Sequence, residues 1–357
     1  ESATVFGALD VQHFTWKQLF DGYTCTECGR CTAACPANFT GKKLSPRKII
    51  MDIRHRLHDK MLVGLENEDN RNLIHDYITD EEIWACTTCN ACVTECPVMI
   101  EHIDTIVDLR RGLVLTEANF PNELNIVFRN LETNFTPWAF SYMERAAWAE
   151  GLDVKIASED NSPELLFWVG CAGSFDERYK KVSRSIVKIL KRAGIEFKIL
   201  GNEEKCNGDA ARRLGNEYLA QMLMKENIQT LEKYGVKKIL TACPHCYNSF
   251  KNEYPQFGGN YEVSHHTEFI LNLIKNDQIK LSKSSNLKVT YHDSCYLGRY
   301  NEIYSERTEE AISLQIDTIA SACPFCMTML TDGLKAKNAI DNVSVKDIAE
   351  IVADSIE

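Results

Sequence analysis

Cys25-Thr-Glu-Cys28-Gly-Arg-Cys31-Thr-Ala-Ala-Cys35-Pro36 sets four thiols at short, regular intervals and closes on proline, and the same spacing returns at Cys86-Thr-Thr-Cys89-Asn-Ala-Cys92-Val-Thr-Glu-Cys96-Pro97. Three thiolates placed at two-residue gaps can wrap three corners of one [4Fe-4S] cubane. The fourth, past a short helical start, points away, and in two-cluster ferredoxins it ligates the other cluster. The expected assignment is crossed: Cys25, Cys28, Cys31 and Cys96 on one cluster, and Cys86, Cys89, Cys92 and Cys35 on the other. Zinc is the competing reading, but zinc sites use paired CxxC units around a longer loop and take four ligands per ion. A twice-repeated run of four cysteines ending in proline favours iron and sulfur.

Between these motifs, Ser45-Pro46 reads as an N-cap followed by proline at the first helical position. Ile49, Ile50, Ile53 and Leu57 then recur at helical spacing, so a helix is expected to pack on the clusters. Lys42, Lys43, Arg47, Lys48, Arg54 and Arg56 give this insert a basic character, read as a solvated face or a docking surface.

The rest of the chain must be read against its composition. It has 357 residues, 15 of them cysteine, 44% hydrophobic and 25% charged, with a formal net charge of -11. That length suits two or three domains with real cores. Clustered thiols in a long chain read as metal binding in a reducing compartment, so a cytoplasmic location is expected. The acidic balance and the lack of a Lys/Arg stripe argue against nucleic acid as a partner. No apolar run approaches the length needed to span a bilayer. The chain begins with Glu1 rather than Met, so a preceding membrane segment stays open.

Beyond a helical linker with Trp138 and Trp148, expected over residues 136–162, and a polar stretch from Ser158 to Pro163, the pattern changes. Leu165 to Val169 reads as a buried strand leading to Cys171. A helix is expected from Asp176 to Arg192, with Val182, Ile186, Ile189 and Leu190 on one face and Gly194 as C-cap. Ile195 to Leu200 then reads as a strand. A further strand, Lys237 to Ala242, ends at Cys243-Pro-His-Cys246. The arrangement recurs: Leu287 to His292 leads to Cys295, and Ile316 to Ala322 leads to Cys323-Pro-Phe-Cys326. Thr241-Ala-Cys-Pro-His-Cys246 and Ser321-Ala-Cys-Pro-Phe-Cys326 match closely enough to read as an internal duplication, with cysteines at strand ends where sites in open parallel sheets form. The expected fold is a helical ferredoxin-type domain over 1–135 followed by a duplicated α/β domain, its copies over 163–275 and 284–357.

Alone, Cys-Pro-His-Cys also suits a redox dithiol, and Cys171 and Cys206 suit buried structural thiols. His292 and Asp293, and His265 with His266, are candidate proton donors or plain loop residues.

Cys171, then Cys206-Asn207-Gly208, then Cys243 resembles the cysteine-rich CCG domain of heterodisulfide reductases and related iron-sulfur oxidoreductases. The resemblance implies a noncubane [4Fe-4S] cluster in such a domain, and one is expected in the C-terminal repeat. Two departures stand out. Asn207 occupies the place of the second cysteine of the pair, and the second copy has Cys295, Cys323 and Cys326 but no Cys-Cys pair. In that copy 28 positions separate the first cysteine from the CxxC, against 72 in the first. A break in the chain between Gln315 and Ile316 is expected from this shortening. Cys295, Cys323 and Cys326 are the expected catalytic and metal-binding set; Cys171, Cys206, Cys243 and Cys246 are further candidate ligands.

Thr40-Gly-Lys-Lys-Leu-Ser-Pro-Arg47, Cys206-Asn-Gly-Asp209 and His292-Asp-Ser-Cys-Tyr-Leu-Gly-Arg299 are similar to the electron-transfer-flavoprotein:menaquinone oxidoreductases. That resemblance implies a flavoprotein as electron donor, a membrane quinone or a haem-binding membrane domain as acceptor, haem b in that preceding segment, and a position at the cytoplasmic face of the membrane. Alternatives are a heterodisulfide reductase, and an electron-transfer component of a glycerol-phosphate, glycolate or lactate dehydrogenase.

Overall fold

The computed structural model describes residues 5–64, 69–157, 162–281, 288–303, 317–336, 340 and 343–356. The link between Gln315 and Ile316 lies outside them. The chain divides into two compact units, one of Glu1–Phe128 with Ala210–Ala220 and one of Arg129–Asp209 with Gln221–Glu357.

The first unit is helical. Ser45 accepts a hydrogen bond from the Lys48 amide at 3.3 Å and Pro46 occupies the first turn, starting a helix over Pro46–Val63. Ile49, Ile50 and Ile53 are fully buried, and Ile49 and Ile53 pack with Leu73, Ile83, Ile106 and Leu109. The basic face is solvated in part: Lys42, Lys43 and Arg47 are exposed, Lys48 and Arg54 half-buried, and Arg56 departs from it. Arg56 is 1% exposed, clamped between Asp10 at 2.7 Å and Asp69 at 2.7 Å, while Lys48 bridges Asp52 and Glu82. A guanidinium so placed must be paired, because an unpaired buried charge is prohibitively costly.

The second unit carries two three-stranded parallel sheets, β1 (Leu166–Trp168), β2 (Lys238–Thr241) and β3 (Glu262–His265), then β4 (Val289–Tyr291), β5 (Thr318–Ser321) and β6 (Ser344–Asp347). Phe167 and Leu240 face the helix over Glu177–Arg192 through Val182, Ile186 and Leu190; Leu166, Trp168 and Ile239 face Met224, Ile228 and Leu231. Both faces of the first sheet are covered, as parallel strands require. The duplication is visible in the register: β2 and β3 end on the pair Thr241 and His265, β5 and β6 on Ser321 and Asp347.

Three readings need correction. Among its described residues the expected helical linker contains only three-residue 3-10 turns, at Tyr142–Glu144 and Ala147–Ala149. Ile195 to Leu200 is no strand: it makes isolated bridges, Lys198 to Leu166 of β1 and Ile199 to Ile156 outside the sheet. The third strand of each sheet, β3 and β6, escaped notice because Glu-Val-Ser-His and Ser-Val-Lys-Asp hold one apolar residue each, too few for a periodicity.

Candidate functional site

In the first unit, Cys25 caps the helix Trp16–Thr24, and the loop beyond it turns through two left-handed residues, Glu27 (φ 58°) and Gly29 (φ 81°). The second motif repeats this at the same positions with Thr88 (φ 52°) and Asn90 (φ 65°). Gly29 and Asn90 then start the short helices Arg30–Ala33 and Ala91–Thr94 that carry Cys31 and Cys92. A chain coiled this way turns backbone N–H groups toward the sulfurs: Thr88 N–H donates to Cys86 Sγ at 3.3 Å and Ile100 N–H to Cys96 Sγ at 3.4 Å. The Arg30 N–H lowers the pKa of the exposed Cys28 thiol.

Cys25, Cys28, Cys31 and Cys96 line one pocket with Arg47, Val98, Ile100 and His102. Cys35 instead lies among Cys86, Cys89 and Cys92, all three of which act on one another electrostatically. Burial pushes Cys31, Cys86 and Cys92 upward, since a thiolate in an apolar wall is unfavourable until a metal takes its charge. Four thiols with inward amides are a donor set that fits an iron-sulfur cluster. Burial also depresses His102 to about 4; its Nδ1 bonds the Ile100 carbonyl at 3.0 Å.

In the second unit the four candidate cysteines of the first repeat come together. Cys246 feels Cys243, Cys171 and Cys206, and Cys171 and Cys206 are hydrogen-bonded. Cys171 follows β1 and Cys243 follows β2, so the parallel pairing of these strands delivers both to one sheet edge. Cys206 and Asn207 are held by their backbone: Cys206 N–H donates to Phe135 O at 2.8 Å, Asn227 Nδ2 to Cys206 O at 2.9 Å, and Tyr254 OH to Asn207 O at 3.1 Å. Arg145 is 1% exposed, and its Nη2 donates to Cys171 Sγ at 3.3 Å and to Glu204 Oε1 at 3.2 Å. Glu204, also buried, accepts from the amides of Val169 at 2.9 Å and Gly170 at 2.8 Å. The Cys206 thiol and Arg145 together hold Cys171 down to about 6, against burial.

The second repeat supplies Cys295, half-buried, with Cys323 and Cys326, both buried. Cys326 is acted on by Cys323, Cys295 and also Cys243 of the first repeat. His245 stands at this junction. Its Nδ1 meets Asp209 Oδ2 at 2.8 Å, and its ring lies 3.8 Å from that of Tyr296 and 4.7 Å from Phe325. Burial opposes its charge, but Asp209 raises it to about 9. His265 and His266 are buried away from solvent; His265 Nε2 meets Ala242 O at 3.1 Å and His266 Nε2 meets Asp347 Oδ1 at 2.8 Å. His292 is depressed by burial.

The sequence pointed to no role for Arg145 or Glu204, and Asp209 stood in the Cys206-Asn-Gly-Asp209 motif without one. The two acids flank Cys206-Asn207-Gly208 and were legible as charges beside a motif, whereas Arg145 lies far upstream with no local signal.

Comparison with known proteins bears on both units. Residues 24–100 match the 4Fe-4S dicluster domain and residues 165–251 the cysteine-rich CCG domain, which sets zinc aside for the first two motifs. The chain is 39% identical to the Bacillus subtilis protein described as probable iron-sulfur-binding oxidoreductase FadF, covering all of this chain and 63% of the relative. It is 37% identical to the EtfAB:quinone oxidoreductase of Syntrophomonas wolfei, covering all of this chain and 61% of that protein. It is 28% identical to one polypeptide of the dihydromethanophenazine:CoB--CoM heterodisulfide reductase of Methanosarcina acetivorans, covering 98% of this chain and 97% of that one. The chain thus spans less than two thirds of the length of the first two relatives. The first of these matches runs over 442 positions against 357 residues here, so that relative carries residues this chain lacks. Among the described residues no helix is long and apolar enough to cross a membrane.

Proposed function

We propose that this chain, which matches a 4Fe-4S dicluster domain and a cysteine-rich CCG domain and is similar over its whole length to iron-sulfur oxidoreductases, relays electrons from a reduced electron-transfer flavoprotein to a membrane quinone. One observation carries the relay: Cys31 and Cys92, from the two thiol sets of the first unit, share one apolar cluster with Ile103 and Val107, so the two sets adjoin. Bound there, iron-sulfur clusters supply one-electron transfer without a bond made or broken at carbon. The chain's own residues hold the thiolates, aim amides at their sulfurs and keep water from Cys31, Cys35 and Cys92. The reduced flavin gives up two electrons one at a time, and the quinone takes two electrons and two protons to become quinol.

The name of the Syntrophomonas relative supports the flavoprotein and quinone ends. Asn207 weighs against disulfide cleavage between two equivalent centres, since the first repeat lacks one ligand of its pair. The test supplies the complete protein in membranes with reduced electron-transfer flavoprotein and a menaquinone analogue, and separately with a heterodisulfide and a reduced viologen. Quinone reduction that Cys25→Ser abolishes is expected; disulfide turnover without quinone reduction overturns the reading.

A further inference from the structure

Asn207 stands where a cysteine ligand belongs, and it is not a passive filler. It is 4% exposed, and its Oδ1 accepts from the Asp209 amide at 3.2 Å, which fixes the plane of the side chain. Its Nδ2 is buried and has no hydrogen-bond partner among the described residues. A buried amide donor left unsatisfied forfeits the hydrogen bond it had with water, so an orphan of this kind beside a thiol set points to an acceptor that completes the site.

A second feature converges there. The Arg145–Glu204 pair is fully enclosed, and a buried ion pair is poor at stabilising a fold because desolvation offsets its attraction. Its geometry has a different consequence. Glu204 is saturated by two backbone amides and Arg145, and Phe135 O takes Arg145 Nη1 at 3.2 Å, so the guanidinium is locked with Nη2 on Cys171 Sγ. Arginine keeps its charge at any pH a protein survives. A permanent cation therefore rests on Cys171, and Asn207, whose Oδ1 accepts from Cys206 Sγ at 3.9 Å, carries an unpaired buried amide donor next to it.

We infer that Arg145 and Asn207 are positioning residues for a one-electron iron-sulfur centre held on Cys171, Cys206, Cys243 and Cys246, and that they raise its reduction potential. Positive charge and hydrogen bonds to cluster sulfur favour the reduced state, which carries one more negative charge. The site gains one electron from a reduced flavoprotein and passes one on, with no ligand exchanged. The inference rests on the electron-relay reading in taking this repeat as a redox site and a reduced flavoprotein as its donor.

The test is an EPR-monitored redox titration of the complete, anaerobically purified protein, with no partner present, so that it is independent of which donor and acceptor turn over. Cys246→Ser identifies the signal by removing it and lowering the iron content. Asn207→Asp keeps the side chain's shape but replaces the donor with an acceptor. Its midpoint is expected to fall by at least a tenfold change in the reduced-to-oxidised ratio at fixed potential, about 59 mV for one electron, with iron content unchanged. Arg145→Met is expected to shift it the same way, and Arg145→Lys to restore part of the shift. If Arg145→Met fails to fold, Asn207→Asp decides alone. A Cys246→Ser protein with every signal and all its iron intact overturns the site, and an unmoved midpoint in iron-replete Asn207→Asp overturns the tuning role, whether or not flavoprotein:quinone turnover is found.

Discussion

His102 shows how much one buried side chain can impose on this molecule. It is 1% exposed and held neutral, with a folded pKa depressed to about 4 against 6.5 for a free imidazole. The unfolded chain therefore binds a proton in the window between about 6.5 and 4 that the folded chain refuses, and stability falls as pH drops through it. The full effect is on the order of 3 kcal/mol from the shift of the two pKa values. Unfolding midpoints in urea measured from pH 7 to pH 5 should decline for the native protein and decline less for His102→Gln. Parallel slopes for the two would remove His102 as the cause.

At the scale of elements, the Pro46–Val63 helix and the helix over His102–Arg111 frame the first unit, and each has a point where a single small group matters. Ser45 caps the first helix and also meets Thr32 Oγ1 at 2.8 Å, tying the helix start to the first cysteine loop. Ser45→Ala should cost about 1 kcal/mol of stability, read as a lower denaturation midpoint. Gly112, just past the second helix, lies where the N-terminal segment crosses: a Cβ there would stand 2.5 Å from Ala8 O and 2.8 Å from Leu9 Cδ2. Helix propensity favours alanine by up to about 1 kcal/mol, but the backbone contact cannot yield as a flexible side chain would. Gly112→Ala should therefore destabilise by roughly 1–3 kcal/mol, and a stabilised variant would show that the segment is free to move.

For the whole molecule, the exchange of the fourth cysteine between motifs governs how damage spreads. Cys96 stands with Cys25, Cys28 and Cys31, and Cys35 with Cys86, Cys89 and Cys92. Cys35→Ser should perturb the EPR signal of the cluster built on the second triplet, and Cys96→Ser that of the first. Pairing each with a second substitution, Cys89→Ser or Cys28→Ser, tells the two apart: Cys35→Ser with Cys89→Ser should lose one cluster, Cys35→Ser with Cys28→Ser should damage both. The reverse pattern would mean that each motif serves its own cluster.

What could be read from the chain alone was whatever is encoded at short range. The cysteine spacings, the Ser45-Pro46 start, the apolar face of Glu177–Arg192 and its Gly194 cap (φ 68°) are set by dihedral angles and helical period over a few residues. The strands delivering Cys171, Cys243, Cys295 and Cys323 were legible as apolar runs for the same reason. Only the tertiary structure decided which distant groups meet. Arg56 reads as a surface cation and is buried, because Asp10 and Asp69 reach it from elsewhere in the unit. Arg145 comes from a stretch with no regular structure and reaches Cys171 because Glu204, 59 residues on, orients it. β3 and β6, with one apolar residue each, are strands because β2 and β5 offer them a free edge. Asn207 reads in sequence as a lost ligand; burial and an unpaired Nδ2 make it a donor. Pairing energy depends on distance and desolvation, and neither is a property of neighbouring residues in the chain.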